Sequence, residues 1–205
     1  LQGILQEYIA KLSAEERHVL QVASVMGSFF WSLLLQRMLQ MDDETLNRHL
    51  TSLQRYQLIA EEYVEENMGM RFTFVSTLMR EATYESVLLP QRKAYHRQCA
   101  ELIEEWLDER ETKVTSLNQI YGYLAFHYEM AGMYEKQMYY HIKTAEVAES
   151  IHANEEALWH LGRGLEVSEM ILEEDLSDAT EEERKRVYRQ QFTILDKADS
   201  MADRF

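Results

Sequence analysis

Proline occurs once in these 205 residues, cysteine once and glycine 7 times. So few backbone breakers point to helices joined by short connections. The lone Cys99 excludes an internal disulfide and a cysteine-based zinc site. Basic residues are also scarce: Lys+Arg number 21 against 36 Asp+Glu, for a net charge of -15. That balance argues against free nucleic acid and anionic membrane as partners. No apolar run approaches the roughly 18 residues of a membrane span, and no signal peptide is visible, so a cytoplasmic location is expected. There is no Gly-rich phosphate loop, no Gly-x-Ser-x-Gly elbow and no Cys/His nucleophile pair. Catalysis and a bound cofactor are therefore not expected within this chain. It starts with Leu1 rather than Met, as a piece of a longer protein would.

What is present is an ordinary globular balance of 46% hydrophobic and 28% charged residues. Residues 1–12 form a first helical pattern. Ser13-Ala14-Glu15-Glu16 then reads as a capping box, in which serine and glutamate satisfy each other's backbone amides. Val19, Val22, Ala23 and Met26 share one face of the next helix, which Gly27 ends. Phe29, Phe30 and Trp31 make a bulky cluster before a helix over about 31–39. Asp42 or Asp43 caps a fourth helix with Leu46, Leu50 and Leu53 inward. The single β signal is a hairpin: 58–64, a turn at Glu66-Asn67-Met68-Gly69, and 70–74. Helices then follow over about 76–88 and from Pro90 to about Arg110.

From Ser116 the apolar pattern repeats at about one helix per 20 residues. Leu117, Tyr121, Leu124, Ala125 and Tyr128 form one face, and Gly132 breaks the run. Met138, Ile142 and Ala145 form the next, and Asn154 opens a third helix with Ala157, Leu161 and Gly164 inward. A last helix covers about 180–204. Alternating bulky and small residues on successive helices mark a helical-repeat array, with Leu124, Ala125, Tyr128, Gly132 and Ala157 as packing positions. The expected fold is mainly α: a winged helix with one small β-hairpin at 1–89, a linking helix and loop at 90–115, and tetratricopeptide-like repeats at 116–205.

Several constellations have plainer explanations than chemistry. No two of the seven histidines sit at i, i+3 or i+4 with a carboxylate in ligand register, so no metal is expected. The acidic run Glu173-Glu174-Asp175-Leu176-Ser177-Asp178 lacks the glycine and spacing of a calcium loop and reads as a solvated connection. A winged helix often binds DNA. Here the candidate recognition helix carries Arg48, His49 and Arg55 but opens with Asp42, Asp43 and Glu44, and the wing carries Glu61, Glu62, Glu65 and Glu66 where a DNA binder places cations, so DNA is not the expected partner. The tyrosine-rich stripe from Tyr121 to Tyr140 reads as packing between repeat helices.

The stretch Phe74-Val75-Ser76-Thr77-Leu78-Met79-Arg80-Glu81-Ala82-Thr83-Tyr84-Glu85-Ser86, continuing through Pro90-Gln91-Arg92 and His96, resembles a segment of STAND-type signalling ATPases. These are often fused to class III adenylate/guanylate cyclases, kinases or transcription regulators. Ser13 to Gly27 resembles the family's winged-helix opening. Leu124-Ala125-Phe126-His127-Tyr128-Glu129-Met130-Ala131-Gly132 resembles its first repeat, and Ala153-Asn154-Glu155-Glu156-Ala157-Leu158 the next helix start. The resemblance implies a regulatory, protein-binding piece that relays the nucleotide state of an ATPase core to an effector. Its partners would be that core, the effector or other proteins, and ATP or ADP would belong to the parent protein. A free-standing repeat scaffold and a winged-helix transcription regulator are the alternatives. Two departures stand out. Ser76 takes the place of a common histidine near the nucleotide, and Gln137, His141 and Thr144 occupy repeat positions that are usually small or apolar. Arg80 and Tyr84 share a helix face at positions the resemblance marks out. The resemblance makes them a junction between winged helix and repeats; the plainer reading pairs Arg80 with a carboxylate and packs Tyr84 under the next helix.

Overall fold

The computed structural model describes residues 11–65, 68–108, 114–174 and 181–202. Residues 1–10 of the expected helix at 1–12, Glu66 and Asn67 of the turn, most of the acidic run and the Thr180 helix start lie outside the described residues. Among those described, the chain is mainly helical with one small three-stranded antiparallel sheet. It divides into two compact units, Leu1–Trp106 and Leu107–Phe205.

In the first unit, Ser13 caps α1 (Ala14–Met26): its Oγ accepts from the Glu16 amide at 3.1 Å, and its own amide donates to Glu16 Oε2 at 2.8 Å. Gly27 closes the helix with φ 131°, a conformation that an L side chain resists. The bulky cluster is itself a strand, β1 (Phe29–Trp31), and runs into α2 (Ser32–Leu39). Asp42 caps α3 (Asp43–Arg55) by accepting from the Thr45 amide, and a leucine stripe at Leu46, Leu50 and Leu53 turns inward. β2 (Ile59–Glu65) and β3 (Gly69–Phe74) form the expected hairpin, with an irregularity between Glu61 and Val64. β1 adds to the other edge of β3, pairing Phe30 with Phe72, so the order is β1-β3-β2. Phe30 stacks on Phe72 at 5.5 Å and meets Phe74 edge-on at 5.9 Å, tying the sheet to Leu20, Leu35 and Leu53 in a buried core.

Two helices complete this unit. α4 (Thr77–Glu85) ends three residues before the expected limit. α5 (Leu89–Asp108), which the sequence assigned to a linker, belongs almost wholly to the first unit, whose boundary falls after Trp106. The reason is its buried face of His96, Cys99, Ala100 and Ile103. Gln98 Nε2 donates to the Met38 carbonyl at 3.1 Å, and Arg37 pairs with Glu105 at 2.6 Å, so α5 docks on α2.

The second unit holds α6 (Val114–Ala131), α7 (Tyr134–Ser150), α8 (Asn154–Glu174) and α9 (Glu181–Ala202). Successive helices pack on one another. Met138, Ala145, Ala148, Ala157, Leu161, Val167, Val187 and Ile194 form its core. Small residues set the spacing. A Cβ built on Gly164 would lie 3.4 Å from Ile194 Cδ1 and 3.8 Å from His141 Cβ, so that glycine lets α8 approach both neighbours. Ala157 is fully buried in the same layer. Ala157→Leu should overpack it and cost about 1–3 kcal/mol, seen as a lower Tm of the second unit; an unchanged Tm would refute the crowding.

Candidate functional site

Charge and aromatic chemistry gather in the first unit where α4 meets α5. Ser76 starts α4 as its N-cap, in extended backbone (φ -135°, ψ 123°), its Oγ accepting from the Met79 amide at 3.3 Å. That hydroxyl is occupied structurally, because it satisfies an amide that the first helical turn leaves without a partner. One turn on, the Arg80 Nη1 group donates to the Ser24 carbonyl in the last turn of α1 at 3.3 Å. Its guanidinium carbon lies 5.8 Å from the Tyr84 ring centre. Arg92, on α5, places its own guanidinium carbon 4.9 Å from that same ring, and its Nε donates to the Val87 carbonyl at 2.9 Å. The Tyr84 hydroxyl lies 3.0 Å from Nε2 of the buried His96. Burial, reinforced by the Arg92 charge, pushes His96 down to about 4, so the imidazole is neutral at pH 7.

Tyr84 thus packs under the following helix. Arg80 meets a backbone carbonyl rather than a carboxylate, and these contacts of both residues tie together α1, α4 and α5 inside the first unit. The sequence pointed to Arg80 and Tyr84 through their four-residue spacing. Nothing in it marks Arg92 as their companion, because only the turn between α4 and α5 folds it back onto the ring.

A second cleft in this unit is lined by Glu16, Glu44, Arg48, His49, Ser52 and Arg55. Two carboxylates and two guanidinium groups share it, so it presents no net sign. His49 Nε2 sits 3.6 Å from Glu15 there. On the hairpin, Glu62 is paired with Arg71 at 2.7 Å and Glu61 is exposed.

In the second unit, Leu124, Ala125, Tyr128 and Ala157 are all buried, as their packing roles require. Tyr128 stacks on Tyr140 with centroids 5.7 Å apart and planes 7° from parallel. Gly132 corrects its expected role. It is exposed, with φ 74°, and donates its amide to the Glu129 carbonyl while Met133 donates to the Tyr128 carbonyl, both at 2.9 Å. It terminates α6 in the left-handed conformation.

The positions that depart from the resembled pattern are all interior. Gln137, His141 and Thr144 are buried, and Thr144 returns its hydroxyl to the Tyr140 carbonyl. His141 on α7 meets His160 on α8 through Nδ1···Nδ1 at 2.9 Å. His141 Nε2 is buried with no hydrogen-bond partner. Burial, then the neighbouring His160 and Arg163, pushes His141 down to about 4; burial also lowers His160, against the pull of Glu156. No spacing rule within one helix reveals this pair. The only signal is that both residues lie on inward stripes of consecutive helices.

Among the described residues, no cluster of three or more His, Cys, Asp or Glu side chains could hold a metal ion. Nor is any helix among them long and apolar enough to cross a membrane. Comparison with protein-family models, with curated proteins and with solved structures finds no match.

Proposed function

We propose that this chain is a non-catalytic relay and protein-binding piece of a multidomain signalling ATPase of the cyclase-associated kind, built as a winged helix followed by tetratricopeptide-like repeats. One observation carries the reading: the order of elements. Helix α1, strand β1, helices α2 and α3, and the β2–β3 hairpin with β1 added to the far edge of β3 are what a winged helix requires. Helices that pack on their neighbours in sequence come next in the chain, as in the resembled family. A relay needs a rigid body that can be repositioned as a unit. The first unit suits this, because α5 is pinned to α2 and α4 by Gln98, Glu105 and His96 rather than hanging free.

A role as a DNA reader fits less well. The α3 face carries Arg48 and Arg55, but Glu16 and Glu44 line the same cleft, so it offers phosphates no net positive charge. The purified chain is expected neither to hydrolyse ATP nor to form cyclic nucleotide, and to leave duplex DNA unshifted in a gel at low salt. Turnover above background that a point substitution in the chain abolishes would overturn the non-catalytic assignment. A gel shift would favour the transcription-regulator alternative. A phosphate-loop segment encoded in the same polypeptide would support the ATPase parentage, and its absence the free-standing scaffold.

A further inference from the structure

In the second unit, α6 and α8 expose large apolar side chains on one shared side. Asn118 on α6 donates to Glu156 on α8 at 2.9 Å, and Arg163 on α8 donates to Glu129 on α6 at 3.2 Å. The two links come in the same order along both helices, so α6 and α8 run side by side in one direction, with Phe126 and Trp159 between the links. Ala125 and Tyr128 on α6, and Ala157 and His160 on α8, are buried. Phe126 is 46% exposed and Trp159 59%, and Met130 and Met170 extend the exposed apolar surface along each helix. Large apolar groups gathered on one face, with charged residues around them, mark an interaction surface.

Two glycines open the same face. Gly122 lies one turn before Phe126, and Gly162 follows Trp159 by about one turn. Neither has a left-handed backbone, and a Cβ built on either meets nothing within 4 Å. Neither a turn nor internal packing therefore calls for them, although each weakens its helix. What a missing side chain permits here is close approach by a group from outside.

Charge selects that group. Seven carboxylates and one guanidinium lie along α6 and α8. Arg163 is already shared by Glu129 and Glu166, while Glu155, Glu156 and Glu169 are exposed to solvent. Glu156 accepts only from the neutral Asn118 amide, which leaves its charge uncancelled. Such a face repels a second copy of itself and any polyanion, and it attracts Lys and Arg.

We propose that the α6–α8 face docks a cationic amphipathic helix of a partner protein. Apolar side chains one turn apart seat about Phe126 and Trp159, over the two glycines, and flanking Lys or Arg side chains meet the carboxylates. This rests on reading the chain as a protein-binding piece. The test titrates the whole 205-residue chain, 15N-labelled, with a synthetic helix carrying Leu at i, i+3, i+4 and i+7 and Lys elsewhere. Twin peptides carry Glu in place of Lys, or Ser in place of Leu. The Leu/Lys helix should bind, more weakly at high salt, and shift the Gly122 and Gly162 amides and the Trp159 indole. The Leu/Glu and Leu-to-Ser twins should bind at least about tenfold more weakly. Gly122→Gln/Gly162→Gln fills open space, so it should keep or raise Tm yet weaken the Leu/Lys helix about tenfold. Glu155→Gln/Glu169→Gln should weaken it and reduce its salt dependence. No binding of the Leu/Lys helix, shifts lying outside α6 and α8, or undiminished binding by the glycine variant would each overturn the site. Preferential binding of the Leu/Glu twin would overturn the cationic assignment and leave the protein-binding reading standing. Self-association of the chain that the glycine variant abolishes would give the face to a second copy instead. The non-catalytic relay reading fails separately, on ATP turnover.

Discussion

Gly69→Ala should be the most damaging single-methyl change in the first unit, costing on the order of 2–5 kcal/mol from two independent penalties. Gly69 holds φ at 80°, where any L residue is strained by about 1–2 kcal/mol. Its added Cβ would also overlap Ser32 Oγ and come within 2.9 Å of Leu33 Cγ. Neither neighbour can retreat freely. Ser32 Oγ accepts from the Met70 amide at 3.0 Å, and the Leu33 amide donates to the Met68 carbonyl at 3.2 Å. The hairpin and the start of α2 are therefore stitched together around a position with no room for a methyl group, and overpacking there adds about 1–3 kcal/mol. The measurement is urea denaturation followed by hydrogen exchange in β3 and α2. Protection equal to that of the unaltered chain would show that the hairpin is not clamped at this point. Ala157→Leu serves as the comparison: it should lower protection in α7 and α8.

Much of this first unit was legible because its signals are local. A capping box, a leucine stripe and an Asn-Met-Gly turn each act over a few residues, and the structure bears out Ser13, Leu46, Leu50, Leu53 and the glycine bend at Gly69. What was not legible depends on distant partners. Phe29–Trp31 is too short for a two-residue alternation to appear, and only pairing with Arg71–Thr73 makes it a strand. The linking helix at 90–115 could not be assigned to a side, because its apolar face is shared by His96 and Cys99 and depends on Met38 and Tyr84 for partners. Gly132 shows a third kind of limit. A glycine between helices signals close packing and a left-handed helix end alike, and only its φ of 74° separates them. The candidate site was half visible. A four-residue spacing brings Arg80 and Tyr84 together, but Arg92 arrives by a chain reversal that no helical period encodes.

Mild acid should destabilise the second unit through the buried contact between His141 and His160. At neutral pH one Nδ1–H can donate to the bare Nδ1 of the other ring, 2.9 Å away. Protonating both rings turns the bond into two facing donors with like charge, beside the guanidinium of Arg163 that already disfavours charge on His141. Glu156 favours charge on His160 but is outweighed by burial. The unfolded histidines titrate near 6.5, and His141 is held at about 4 in the fold. Between those values the unfolded chain binds the extra proton. Stability is therefore fully present above pH 6.5 and is lost as pH falls toward 4. For His141 alone the loss is on the order of 3 kcal/mol, at about 1.4 kcal/mol for each pH unit that separates the folded and unfolded values. His96 brings the same sign of dependence to the first unit, so the two are distinguished by hydrogen exchange in α7 and α8 against α4 and α5. His141→Leu removes the unpartnered Nε2 and one of the two titrating rings. It should lower stability at neutral pH by about 1–3 kcal/mol, because His160 loses its partner, yet flatten the acid limb in α7 and α8 while leaving that in α4 and α5 intact. An acid limb in α7 and α8 as steep in His141→Leu as in the unaltered chain would place the pH sensitivity elsewhere.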